Sequence, residues 1–307
     1  MLSANKTSEI PESCRQTPHS KMIMIAGGGA GRATYVADVN IYDPYNQQWI
    51  PAAPLLQPRC DFGMATVGDS IYAVGGLGPR PFYALRSVEI YDSQTNRWRA
   101  GPEMKRVRCC LGVAALDRII FAVGGEDNSQ AGCTAEMLDP RVGNWMYLRS
   151  MSKCRTELAL AASNGYLYAV GGRNERHTFK SVEVYDLRAR RWTTAQPMPN
   201  RHRHGCATVF RDQIVIIGGF QKGKGVLRSA KMLTDDGWMS LPEMSVRREG
   251  LGVVNVDGSL FAFGGRDGSR SLSCIEYLGL DSDQWEMSQA CFPCPFVLFF
   301  SSLGLRM

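Results

Sequence analysis

The chain has 307 residues, a formal net charge of +6, 44% hydrophobic and 21% charged residues. That balance excludes a disordered or fibrous chain. A pI near 8.8 falls short of the value above about 9 that points to nucleic acid. The 32 glycines exceed an average share of about 7%, which suits a protein with many tight turns.

Residues 1–20 are polar, lack the apolar core of a signal peptide, and read as a flexible extension. From residue 21 one unit recurs. Gly-Gly pairs stand at Gly27-Gly28, Gly75-Gly76, Gly124-Gly125, Gly171-Gly172, Gly218-Gly219 and Gly264-Gly265, spaced 46–49 residues apart. The six tryptophans, Trp49, Trp98, Trp145, Trp192, Trp238 and Trp285, keep the same period. A β-branched and aromatic run precedes each glycine pair, as in Ile119-Ile-Phe-Ala-Val. Such runs are strands, which the glycines let the backbone leave. A polar loop follows, then an alternating strand such as Val88-Glu-Ile-Tyr-Asp, then the Trp. Ten residues past the Trp stands Arg59, Arg108, Arg155 or Arg248, and nine past Trp192 stands Arg201. A small-residue run follows each. This makes four short strands per unit, with no sustained helical periodicity.

The first unit begins at its second strand. The tail, residues 291–307, offers a closing strand: Pro295 stands at the Arg register, and Phe296-Val-Leu-Phe-Phe follows where an inner strand should start. An open blade would leave backbone groups and apolar faces unpaired. The tail is atypical, because Pro293 and Pro295 remove ladder donors.

Six such units over residues 21–290 resemble Kelch repeats. The resemblance implies an all-β, six-bladed propeller with four strands per blade. It also makes the Gly, Tyr and Trp positions structural. In layout the chain resembles the BTB–Kelch group of cullin ubiquitin-ligase adaptors, whose propellers select substrates. Only about twenty residues precede the repeats, so contact with a cullin is expected only through domains absent here.

Nothing points to catalysis, and no cofactor or metal is expected. The chain lacks a nucleophile elbow, a His-Glu-x-x-His and a phosphate loop. His202-Arg-His204 could set two rings on one strand face, but no third ligand is recognisable, and a basic rim loop is the preferred reading. Cys291-Phe-Pro-Cys294 has no second pair of ligands. Cys60, Cys109, Cys110 and Cys206 read as core thiols, with Arg-activated redox sensors as the alternative. Copper oxidases resembling galactose oxidase use seven blades and a Tyr, His and Cys set, which this chain does not repeat.

The loops after each Gly-Gly carry eleven basic residues, Arg32, Arg80, Arg86, Arg173, Arg176, Lys180, Lys222, Lys224, Arg228, Arg266 and Arg270, against four acidic ones. Their net +7 accounts for the charge of the whole chain. Tyr35, Phe82, Tyr83, His177, Phe179 and Phe220 add aromatic surface. Arg and aromatics favour binding hot spots, and Arg forks suit carboxylates or phosphates. The resemblance adds Arg59, Arg108, Arg155, Arg201 and Arg248 as partner contacts; the alternative is that they hold loop carbonyls between blades. The expectation is a cytoplasmic, non-enzymatic module that binds an acidic or phosphorylated protein segment, with nucleic acid and membrane disfavoured. A cytoskeletal, actin-associated scaffold and an oxidoreductase are the rival readings.

Overall fold

The computed structural model describes residues 21–29, 35–79, 83–128, 130–291 and 302–306. Among them every regular element is a strand. Blade one holds β1 (Lys21–Ala26), β2 (Val39–Asp43) and β3 (Gln48–Ala52). Blade two holds β4 (Gly63–Val67), β5 (Ser70–Val74), β6 (Val88–Asp92) and β7 (Arg97–Ala100). Blade three follows with β8 (Gly112–Leu116), β9 (Ile119–Val123), β10 (Ala135–Asp139) and β11 (Asn144–Tyr147). Blade four holds β12 (Ala159–Ser163), β13 (Tyr166–Val170), β14 (Val182–Asp186) and β15 (Arg191–Ala195). Blade five holds β16 (Cys206–Phe210) and β17 (Gln213–Ile217), then a small hairpin of β18 (Phe220–Gln221) and β19 (Gly225–Val226), then β20 (Ala230–Thr234) and β21 (Gly237–Leu241). Blade six holds β22 (Gly252–Val256), β23 (Ser259–Phe263), β24 (Ile275–Leu278) and β25 (Glu286–Met287). The last strand, β26 (Ser302–Arg306), returns to β1.

Each blade is a four-stranded antiparallel meander, and the six make the expected propeller. Blade one is completed by β26, whose Arg306 to Ser302 run against Lys21 to Ile25. The closing strand therefore lies further along the tail than Phe296–Phe300, which fall outside the described residues. Its strand begins beyond Pro293 and Pro295, so neither proline interrupts this ladder.

The second strand of each blade explains why the ring must close. Both of its faces are apolar, and alternation sends successive side chains to opposite neighbours. Met22, Met24 and Ala26 of β1 pack with Phe62, Met64 and Ile71 of blade two. Ile23 and Ile25 pack the other way, with Val254, Val256, Phe261 and Phe263 of blade six. The same division recurs at β9, where Ile120 and Ala122 face blade two and Phe121 and Val123 face blade four. The core is thus six apolar layers, one between each pair of blades.

The tryptophans tie consecutive units. Trp98, Trp145, Trp238 and Trp285 donate through Nε1 to the carbonyls of Ala53, Pro102, Gln196 and Pro242 in the preceding connection, at 2.8, 2.9, 3.1 and 2.9 Å. Three of them face a Leu where other units have Tyr. Leu138 and Leu278 are buried, and Leu233 is half-buried because blade five shortens its turn.

Deleting residues 302–307 removes the partner of β1 and leaves its inner edge open to the channel. The expected result is a melting temperature lower by several degrees and a tendency to aggregate, read by calorimetry and light scattering. An unchanged melting curve would show that β26 is dispensable.

Candidate functional site

The first strands of the blades surround a central channel whose cavity measures about 480 Å³. These strands approach so closely that only small residues fit. A Cβ on Gly63 would sit 2.1 Å from Val113, and one on Gly112 would sit 2.5 Å from Leu160. The channel opens on the turns that carry the repeated arginines.

Those arginines are buried. Arg59, Arg108, Arg155 and Arg248 are at most 2% exposed, and each faces a glutamate in the third strand of its own blade. Arg59 meets Glu89 at 2.6 Å, Arg108 meets Glu136 at 2.9 Å, Arg155 meets Glu183 at 3.0 Å and Arg248 meets Glu276 at 2.9 Å. The other arm of each guanidinium donates to the first glycine carbonyl of its blade, Gly75, Gly124, Gly171 or Gly264. Each glutamate also accepts two backbone N–H groups from the incoming connection, such as Ser152 and Lys153 on Glu183. Meanwhile the arginine's own carbonyl takes the N–H of the second glycine in the preceding blade: Gly28 to Arg59, Gly76 to Arg108, Gly125 to Arg155 and Gly219 to Arg248. The first glycine lies against that same carbonyl in a left-handed conformation. A Cβ on Gly75, with φ of 66°, would come within 2.6 Å of Arg108 O. One arginine therefore locks two blades and a connection. Burial lowers the pKa of Arg59 and Arg155, and the charges of Glu89 and Glu183 oppose the shift.

This corrects the reading of these four arginines as partner contacts, because their forks are spent inside the protein. Arg201 differs from these four. It is exposed, and His202 occupies the clasp position, with its Nε2 against the carbonyl of Gly218. The glutamate position of that blade holds Lys231. Blade one has Asn40 there, and its Arg register falls on Pro295. Arginine and glutamate are thus kept together in four blades and lost together in two. In blade five a small cavity of about 30 Å³ beside His202, Ser229 and Lys231 marks the missing pair.

His202 and His204 do not share a face. Burial, with help from His204 and Lys231, pushes the pKa of His202 down to about 4. His204 turns outward at φ 53° and meets Glu157 at 2.8 Å. Glu157 also binds Arg173 at 2.5 Å and Arg203 at 2.6 Å. His204 and Arg203 overcome desolvation and hold its pKa down at about 2. Asp61, Cys110, Glu157, His204 and Gly250 all adopt a left-handed turn as the chain enters the channel. From Cys110 on, the N–H donates to the carbonyl of the equivalent residue one blade back: Cys110 to Asp61, Glu157 to Cys110, His204 to Glu157 and Gly250 to His204. This collar is invisible in the sequence, since its residues share a backbone conformation and no chemistry.

The collar and its neighbours are not uniformly basic. Asp61, Glu126, Glu157 and Glu249 stand against Arg173, Arg203 and Arg266. Asp61 Oδ1 is buried without a hydrogen-bond partner, and desolvation raises that carboxyl to about 6. Arg266, read as an exposed loop-tip residue, is half-buried, and its Nε has no partner. Burial raises the thiols of Cys60 and Cys206, the latter to about 11, and the hydrogen bond with Cys109 together with burial raises that of Cys110, opposite to the activated thiol of the redox alternative. Among the described residues no three His, Cys, Asp or Glu side chains converge on a possible metal position.

The positive surface lies further out, on blades four and five. Arg176, His177, Lys180, Arg201, Lys222 and Lys224 are exposed there, the last two lysines on the β18–β19 hairpin. Arg203 caps this region, stacked 4.6 Å over the ring of Phe220. Other exposed cations of the loops after the glycine pairs are in ion pairs: Arg86 with Glu103, Arg228 with Glu243, and Arg270 with Asp267. Arg32 and Arg80 lie outside the described residues.

The Kelch motif matches residues 58–105, 108–152, 154–199 and 247–289, which together are more than half of the chain. These are the four units that keep the Arg–Glu pair. Human Kelch-like protein 28 is 35% identical over 57 residues, 19% of this chain and 10% of that protein. Human Kelch-like protein 33 is 30% identical over 105 residues, 33% of this chain and 20% of that protein. The matched stretches therefore span a fifth or less of either relative. The solved structure of YjhT superposes with a TM-score of 0.74 at 14% identity, covering 89% of this chain and 98% of that one, a likeness of fold.

Two outcomes test the clasp. Glu276→Ala should destabilise the protein by about 3–5 kcal/mol, because Arg248 is left buried and unpaired. In blade five, His202→Arg and Lys231→Glu should each destabilise alone and compensate together, with a coupling of about 1–3 kcal/mol in denaturant titrations. The pH dependence has a defined sign. Folding lowers the pKa of His202 from 6.5 to about 4, so its contribution is complete above pH 6.5 and is lost as the pH falls towards 4. A His202→Gln variant should lack that part of the acid loss, at most about 1.4 kcal/mol per pH unit.

Proposed function

The chain belongs to the Kelch-motif family, and on that footing we propose that it is a protein-interaction module. In this reading it binds an acidic or phosphorylated protein segment on the loop face of blades four and five. One observation carries the proposal: in the described loops that follow the glycine pairs, the exposed cations without an ion partner gather on two adjacent blades around a ready aromatic surface. Arg176, Lys180, Lys222 and Lys224 belong to this group, Arg201 adjoins it, and Phe179 and Phe220 lie among them. Arg173 and Arg203 contribute less than their number suggests, because Glu157 already neutralises them. A concave basic sector raises the local concentration of acidic ligands and steers their approach. Exposed Arg and Lys give up little desolvation when they pair with a carboxylate or phosphate, so their contribution is modest each and useful in sum.

The likeness to Kelch-like proteins supports a substrate-selecting role of the kind that the BTB–Kelch adaptors have. Selection would then rest on this rim, and contact with a cullin on other domains. The same reading makes the module non-enzymatic.

An array of acidic, phosphorylated, neutral and basic peptides tests the binding class. Acidic and phosphorylated peptides should bind, more weakly as salt rises, because exposed charges are screened over about 8–10 Å. Arg176→Glu with Lys222→Glu should leave the melting temperature unchanged and weaken binding by roughly 1–3 kcal/mol. Equal retention of neutral peptides, or binding insensitive to salt and to both substitutions, would overturn the basic-sector reading and leave the fold untouched.

A further inference from the structure

Cys133 and Cys154 face each other across the seam between blades three and four, outside the sector described above. Cys133 ends the loop that leads into β10, and Cys154 directly precedes the buried Arg155. The two segments run side by side in opposite directions. Arg155 N donates to Gly132 O at 2.9 Å, and Met151 N donates to Cys133 O at 2.8 Å. These two bonds bracket the cysteines and hold the segments that carry Cys133 and Cys154 against each other. A disulfide needs Cα atoms about 4.4–6.8 Å apart. The two thiols are in hydrogen-bonding reach of each other, and both are free and half-exposed.

The other units show that this pairing is particular to the one seam. The same backbone bond, from Arg108 N to Leu85 O, His202 N to Phe179 O and Arg248 N to Leu227 O, sets Arg86 opposite Val107, Lys180 opposite Arg201, and Arg228 opposite Arg247. None of those pairs can be joined covalently. The vicinal Cys109-Cys110 has no such opposed geometry, since Cys110 sits in a left-handed turn with φ of 50°.

We propose that Cys133 and Cys154 are a modification site: a reversible disulfide that clamps the connection between blades three and four. The oxidant class is a low-molecular-weight disulfide such as oxidised glutathione. Burial and the adjoining Cys133 raise the Cys154 thiol to about 12, so Cys133 attacks first: its thiolate takes a sulfur of that disulfide, the S–S bond of the reagent breaks, and one glutathione thiolate leaves and takes up a proton. The second cysteine then attacks the mixed disulfide, forming the Cys133–Cys154 bond and releasing the second glutathione. Two electrons pass from the protein to the reagent. Closure ties the segment that carries Lys153 and Arg155 to blade three, next to the bonds from Ser152 and Lys153 to Glu183.

The test treats the full chain, at low concentration, with oxidised glutathione and then alkylates the remaining thiols. Peptide mapping should show residues 133 and 154 linked, with loss of about 2 Da and full reversal by dithiothreitol. The linked protein should melt roughly 3 °C or more higher, since the bond closes a loop in the unfolded chain. Cys133→Ser and Cys154→Ser should each abolish the link, while a Cys291→Ser control should retain it. Three results would overturn the proposal: both thiols alkylated after oxidation, a stable glutathione adduct on either one, or a link from either to a different cysteine or a second chain. A link that leaves the melting temperature unchanged would overturn the clamp.

Discussion

Each blade of this protein has a second strand that is apolar on both faces, and the rest of the structure follows from the need to cover both. A single neighbour covers one face, so no linear stack of these units has a stable end. The seam between blades six and one buries eight residues, among them Ile23, Ile25, Phe261 and Phe263. At about 1.5–3 kcal/mol each, their burial is as large as or larger than the roughly 5–15 kcal/mol by which such domains are stable. The meeting of blades six and one is therefore a large part of what holds the ring, and β26 completes it by covering the inner edge of β1.

Curving six sheets around an axis brings their first strands together and their polar turns with them. The Arg–Glu clasp solves the problem that this creates. The turn at the channel mouth packs against the glycine pair of the preceding blade, where water cannot reach its carbonyls. A guanidinium satisfies several acceptors from one position, and a carboxylate returns the charge and takes two further N–H groups. Half of such a pair would be worse than none, which is the physical reason that blades one and five have lost both members. His202, neutral and small, keeps only the bond to Gly218.

Spending four arginines inside the ring changes what remains for recognition. The inner collar is nearly balanced in charge, with Glu157 gathering Arg173, Arg203 and His204. Among the loops after the glycine pairs, the exposed cations without an ion partner are those of blades four and five. A reading that counts arginines by sequence position overstates the inner rim and understates this outer sector.

The sequence alone determined the number of blades, the strands within them and the structural role of Gly, Tyr and Trp. These signals are local and repeat at one period, so each unit confirms the others. It also placed the closing strand in the tail, though at the aromatic run of Phe296–Phe300 in place of Ser302–Arg306, because apolar content was the visible signal and register was not. Only the tertiary structure decided which arginines are buried. Arg155 and Arg176 look alike as basic residues near a turn, yet one is enclosed by Gly171, Ser181 and Glu183 and the other stands in solvent. The partner residues lie 16 to 28 positions away along the chain and are joined only when the blade folds. The left-handed collar and the opposed Cys133 and Cys154 were hidden for the same reason: each depends on which backbone segments meet across a seam, and spacing within one unit does not encode that meeting.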